Sequence, residues 1–115
     1  MPSKPPRRER VQYWCEDAIE AIDAIRSHIG GMTSADFETD RKTVSAVERE
    51  LLLIAEVVAR MPEFEEAYAD AHKIRGLGNR LRHDYERLDQ RVIWDAIAGR
   101  PLAELRDALV AFTSK

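Results

Sequence analysis

The sequence predicts an all-α protein: an antiparallel up-and-down four-helix bundle with one short extra helix. Apolar residues recur every three or four positions through almost the whole chain, no segment alternates as a strand would, and glycine and proline stand where the apolar stripes stop. A chain of 115 residues has room for one domain, and at that size it buries about 65% of its unfolded surface, enough for a core without staples. Hydrophobic residues make up 44% of the chain and supply that core. The charged fraction, 34%, exceeds the roughly 25% usual in globular chains and reads as solvated outer helix faces.

Each element has a local reason. Residues 1–7 hold three of the five prolines together with Lys4 and Arg7 and read as a flexible basic tail. That tail is either a solvated terminus or an arm that contacts RNA or a partner. Residues 8–115 read as a single helical domain. Its first helix runs from about Arg8 to Ile29, with Val11, Cys15, Ala18, Ile22, Ile25 and Ile29 on one face and Trp14 broadening it. Gly30-Gly31 stops it, because glycine takes a left-handed C-terminal conformation without steric cost. A helical turn around Ala35-Asp36-Phe37 follows, with Phe37 tucked onto the core. The second helix starts at Asp40, a good N-cap, carries Val44, Val47, Leu51, Ile54, Val58 and Met61, and ends at Met61-Pro62. A third segment spans about Glu63 to Glu86, its inner side marked by Phe64, Ala67, Tyr68, Ala71, Ile74, Leu77 and Leu81, with Gly76 and Gly78 placed to kink or split it. Asp89 caps a short helix whose apolar surface is Val92, Ile93, Trp94 and Ile97. After Gly99-Arg100-Pro101 a last helix carries Leu102, Leu105, Leu109 and Phe112, with Pro101 suited to its first turn.

Several function classes are excluded. No stretch approaches the roughly 20 uncharged apolar residues of a membrane span, and the start lacks the apolar segment of a secretory signal. A single cysteine, Cys15, cannot form an internal disulfide and fits a reducing cytoplasm. Three histidines and one cysteine have no zinc-ligand spacing, and nothing else implies a metal or a cofactor. A net charge of −3 does not advertise nucleic-acid binding, so any such activity needs a local basic patch.

One such patch exists. Arg75 to Arg87 holds four arginines, His83, Asn79 and Tyr85 within 13 residues. On a helix Asn79 and Arg80 lie four and three residues before His83, so the three share a face. A titratable imidazole can move a proton near neutral pH, an arginine can hold a phosphate bidentately, and an asparagine can orient either. Those are the parts of a metal-independent RNA cleavage: a base for the 2′-hydroxyl, a cation for the phosphorane and an acid for the leaving 5′-oxygen. The same residue types also make an ordinary solvated face. His28 and His72 stand alone. Glu48, Glu50, Glu63, Glu65 and Glu66 read as charged outer faces. Glu56 differs, lying between the core positions Ile54 and Val58.

The block FETDRKTVSAVERELLLIAE, Phe37 to Glu56, resembles the second-helix region of the HepT-like family within the HEPN superfamily. HKIRGLGNRLRHDYERLDQRVIW, His72 to Trp94, resembles that family's signature segment, with Asn79, His83, Asp84, Tyr85, Asp89 and Trp94 in place, and Leu102 to Leu109 resembles its closing helix. The resemblance implies a HEPN-like bundle, usually a homodimer with the signature at a cleft between protomers, acting as the ribonuclease toxin of a toxin–antitoxin pair. The implied partner is a minimal nucleotidyltransferase antitoxin that attaches AMP to the signature tyrosine, here Tyr85. The chain departs from the pattern at one position: the family arginine, five residues before the histidine, is Gly78. Two readings stay open. Arg80 or Arg75 supplies the cation, with Arg75, Arg80 and Arg82 holding RNA, or the nuclease is weakened or lost and a helical partner of a nucleotidyltransferase remains.

Overall fold

The computed structural model describes residues 3–84 and 88–114, and Tyr85, Glu86 and Arg87 lie outside the described residues. Seven helices and no strand occur among them: α1 (Arg7–Ile29), α2 (Ser34–Thr39), α3 (Arg41–Ala59), α4 (Pro62–Ala67), α5 (Ala69–Asp84), α6 (Gln90–Ile97) and α7 (Arg100–Thr113). The all-α expectation holds. The long helices α1, α3, α5 and α7 make the bundle, with α1 against α3 and α7, and α5 against α3 and α7. The short helices number three, not one. No described helix is long and apolar enough to cross a membrane.

The helix ends follow from local chemistry. α1 stops where Gly30 takes φ +45° and returns its N–H to the Arg26 carbonyl at 3.0 Å. α2 opens on a reciprocal cap: the Asp36 N–H donates to the Thr33 hydroxyl at 3.2 Å, and the Thr33 N–H to the Asp36 carboxylate at 3.0 Å. Asp40 caps α3 by accepting from the Thr43 N–H at 3.0 Å, and Asp89 caps α6 through the Arg91 N–H at 2.9 Å. Such caps contribute about 1 kcal/mol each. Gly99, at φ +94°, turns the chain into α7.

The stripes meet in one core. Cys15, Ala18, Ile22 and Ile25 of α1 face Val44, Val47, Leu51, Ile54 and Val58 of α3, with Leu102, Leu105 and Leu109 of α7 closing it. Phe37 ties α2 to α6 through the Trp94 ring, 5.4 Å away, and Phe64 of α4 meets Phe112 edge-on at 5.2 Å. Among the described residues the buried set contains no polar or charged side chain. The Cys15 thiol lies 3.7 Å from the Met61 sulfur, and burial, aided by the charges of Glu16 and Glu63, pushes its pKa up to about 11.

Two expectations need correction. The third segment divides at Tyr68 (φ −138°, ψ 100°), not at its glycines, so Ala67 is solvent-exposed at the end of α4 and Gly76 and Gly78 sit inside an unbroken α5. Gly78 stays helical because it is where α5 touches α3. A Cβ there would overlap the Cβ of Ala55 and stand 3.7 Å from the Ala55 Cα. This close approach offsets the roughly 1 kcal/mol that glycine costs inside a helix. Val92 does not face the core either. It is 37% exposed, while Ile93 and Ile97 are buried, because α6 is too short to bury more than one side.

Gly78→Ala should therefore destabilise the protein by about 1–3 kcal/mol despite the better helix propensity of alanine. Urea unfolding of Gly78→Ala, Ala55→Gly and the double variant tests this, and the double variant should recover part of the loss through a favourable coupling term.

Candidate functional site

Of the signature residues, Asn79 and His83 lie on the outer side of α5. Its inner side is fixed by Ala71, Ile74, Leu77 and Leu81, all buried, and by Gly78 against α3. At 3.6 residues per turn the opposite side carries Arg75, Asn79, Arg80, Arg82 and His83, all of them exposed. His83 is displaced by about 40° from Asn79 and occupies the crest of this face.

Two grooves flank the crest. The one toward α3, about 350 Å³, is lined by Glu56, Arg60, Arg75, Asn79 and Arg82 over a floor of Ala55 and Ala59. The other, toward α6, is lined by Lys73, Gly76, Leu77, Arg80, Val92 and Ala96. The structure thus brings Arg75, Arg82 and Asn79 together in one groove and places Arg80 in the other, with His83 between. Tyr85 lies outside the described residues.

Carboxylates position two of these arginines. Glu65, only 18% exposed, accepts from Arg75 Nε at 2.7 Å and lies 2.8 Å from His72 Nδ1. The Arg75 hydrogen bond, followed by that of His72, holds the Glu65 carboxyl below the usual carboxylate range. Glu56 reaches Arg82 across the groove at 3.4 Å. The break at Tyr68 makes the first pair possible. Ten residues along one unbroken helix span about 15 Å, whereas the turn at 68 sets α4 beside α5.

Sequence reasoning missed Arg60, Glu65 and His72 as parts of this neighbourhood. Arg60 follows the last turn of α3, where no apolar stripe or motif singles it out, and Glu65 and His72 meet across the break at Tyr68. Glu56 was distinguishable by its place between core positions, and it does line the groove. Gly78, in the position of the family arginine, is buried against Ala55, so no side chain from that position reaches the outer face. Among the described residues no group of three or more His, Cys, Asp or Glu could hold a metal ion.

Comparison with known proteins identifies the family. The profile of the family described as "Ribonuclease HepT-like" matches residues 18–111. The protein named "Putative RNase TTE0752", from Caldanaerobacter subterraneus subsp. tengcongensis, is 30% identical over 100 residues, covering 84% of this chain and 83% of its own. "Putative RNase MJ0127", from Methanocaldococcus jannaschii, is 28% identical over 105 residues, covering 89% and 86%. No solved structure matches the chain.

The lowered Glu65 pKa has a pH signature. A depressed carboxylate contributes stability that is full above its unfolded pKa and is lost as pH falls through its folded one. Glu65→Gln should therefore lose less stability between pH 6 and about pH 3 than the parent chain does. Urea midpoints across that range read the difference, and equal losses would refute the pairing.

Proposed function

The chain belongs to the HepT-like ribonuclease family, and we propose that it is a metal-independent endoribonuclease working at the crest of α5. The observation that carries this reading is the joint exposure of Asn79, Arg80, Arg82 and His83 on one helix face beside a groove that holds Arg60 and Arg75. A phosphodiester seated over the crest meets Arg80 from one side and Arg82 from the other. The His83 imidazole takes the proton of the 2′-hydroxyl. The 2′-oxygen then attacks phosphorus, arginine stabilises the charge that develops there, and the 5′-oxygen leaves with a proton. The products are a 2′,3′-cyclic phosphate and a 5′-hydroxyl. Base and acid are two roles, and a homodimer supplies two copies of His83 to fill them. Asn79, one turn before His83, orients the imidazole or a phosphate oxygen. Arg75, Arg80 and Arg82 hold the RNA strand, whose accessible form is a single-stranded loop.

Cleavage should persist in a chelator and should fall by roughly 10²–10⁴ in His83→Ala, the usual range for loss of a general acid–base group. Gel analysis of a labelled RNA with both proteins reads this, and undiminished cleavage by the variant would remove His83 from the mechanism.

Gly78 favours a second reading. With the family's arginine position enclosed by α3, a nuclease that depends on that cation loses roughly 10²–10³ in rate by analogy with oxyanion-hole donors. The chain would then serve as a helical binding partner, and neither the parent nor His83→Ala would cut RNA.

Under either reading we propose that the protein is one half of a toxin–antitoxin pair whose other half is a minimal nucleotidyltransferase. In that system the Tyr85 oxygen attacks the α-phosphate of ATP, receives AMP and releases pyrophosphate, adding anionic bulk two positions along the chain from His83 that would repel the RNA backbone. Mass spectrometry after co-expression with a minimal nucleotidyltransferase of this kind should find AMP on the peptide containing Tyr85 and none in Tyr85→Phe.

A further inference from the structure

The region around Trp14 is not used by the mechanism above. Arg7, Arg10 and Trp14 stand at i, i+3 and i+7 on α1 and share one face. Arg60 joins them from the end of α3. The guanidinium carbons of Arg7, Arg10 and Arg60 lie 5.8, 5.8 and 5.9 Å from the indole centroid. Three cations around one half-buried ring is an uncommon concentration, since significant cation–π contacts occur about once per 70–80 residues.

The charges there are poorly compensated. Glu63 binds Arg7 at 2.9 Å, but among the described residues no carboxylate comes within 4.0 Å of Arg10 or Arg60. Arg10 Nε is buried without a hydrogen-bond partner. The N-terminus of the 23-residue α1 adds its positive dipole end to the same place. A groove of about 460 Å³ lined by Arg7, Arg8, Gln12 and Glu63 opens beside it. Arg60 belongs both to this cluster and to the α3–α5 groove with Arg75, Asn79 and Arg82.

We infer that Arg7, Arg10 and Arg60 around Trp14 form a second phosphate-binding subsite, which holds the RNA backbone one or more nucleotides away from the phosphate at the α5 crest. The inference rests on reading the chain as an RNA-binding ribonuclease. A polyanion with regularly spaced, singly charged phosphates suits the arrangement, because guanidinium groups pair bidentately with phosphate oxygens and Arg60 links the two sites without a gap. The subsite sets the length of strand engaged, while the crest performs the cleavage.

The test uses the full chain carrying His83→Ala, so that RNA stays intact, and reads fluorescence anisotropy with labelled single-stranded RNAs of about 12 and about 3 nucleotides over a salt series. Arg7→Gln/Arg10→Gln should weaken binding of the longer RNA at least tenfold. It should also reduce the slope of log affinity against log salt by about 1.4, the share of two phosphates on a single strand. The shorter RNA, which the crest groove accommodates alone, should lose less than twofold. Arg7→Lys/Arg10→Lys should keep the slope. Arg10→Gln alone, which breaks no ion pair, covers the case in which loss of the Arg7–Glu63 contact unfolds the double variant, and should lower the slope by about 0.7.

An unchanged slope for the longer RNA in these glutamine variants would overturn the subsite and leave the ribonuclease reading standing. Equal losses for both lengths would overturn it too, as general electrostatic attraction. If the parent chain neither binds nor cleaves any RNA, the subsite falls together with the reading beneath it.

Discussion

The contact between Gly78 of α5 and Ala55 of α3 is the constraint on which the rest of the site depends. Two helices that meet at a glycine and an alanine approach until their backbones nearly touch. This approach sets the groove above it, whose floor is Ala55 and Ala59 and whose walls are Arg60 on one side and Arg75, Asn79 and Arg82 on the other. Long arginines stand over a shallow floor because the residues beneath them are small. The same contact removes position 78 from the surface. A helix cannot present one residue both to its neighbour and to solvent, so position 78 offers no group to the outer face of α5.

Charge follows the same geometry. The net charge of −3 describes the molecule as a whole, yet arginines gather around the end of α3, where Arg60 joins the Trp14 cluster of α1 to the groove against α5. Arg75 is held by Glu65 and Arg82 by Glu56, both through carboxylates on neighbouring elements. These pairs are exposed or half-exposed and add little stability. Their effect is on direction: they hold flexible side chains along the groove walls. Arg10 and Arg60 have no such partner among the described residues, and their compensation is the Trp14 ring. The paired arginines are oriented by carboxylates, and Arg10 and Arg60 by the indole ring.

The parts of the fold legible in the sequence are those with local causes. Every member of the stripe that runs from Val44 in α3 to Met61 just beyond it is buried, as its spacing requires. Asp40 and Asp89 cap helices through their own backbone neighbours, and Gly30 ends α1 because nothing else takes its φ cheaply. Where the expectation failed, the cause lay outside the segment. The glycines of α5 looked like breakers because their propensity is poor, but α3 lies against Gly78 and keeps the helix continuous. Tyr68 carried no breaking signal. Its extended backbone lets α4 fold beside α5 while its ring stays 5.9 Å from Phe64.

The candidate site divides the same way. That Asn79, Arg80 and His83 share a side of one helix followed from their spacing, as did the family resemblance carried by the segment around them. Helical periodicity is a property of the chain alone, so the sequence by itself determined the all-α class, the stripes and the crest. Which arginine faces which groove, that Arg60 and Glu65 join them, and that residue 78 is closed off were decided only when α3, α4 and α5 came together. Those relations join residues ten to tens of positions apart, and no local rule states how closely two helices approach.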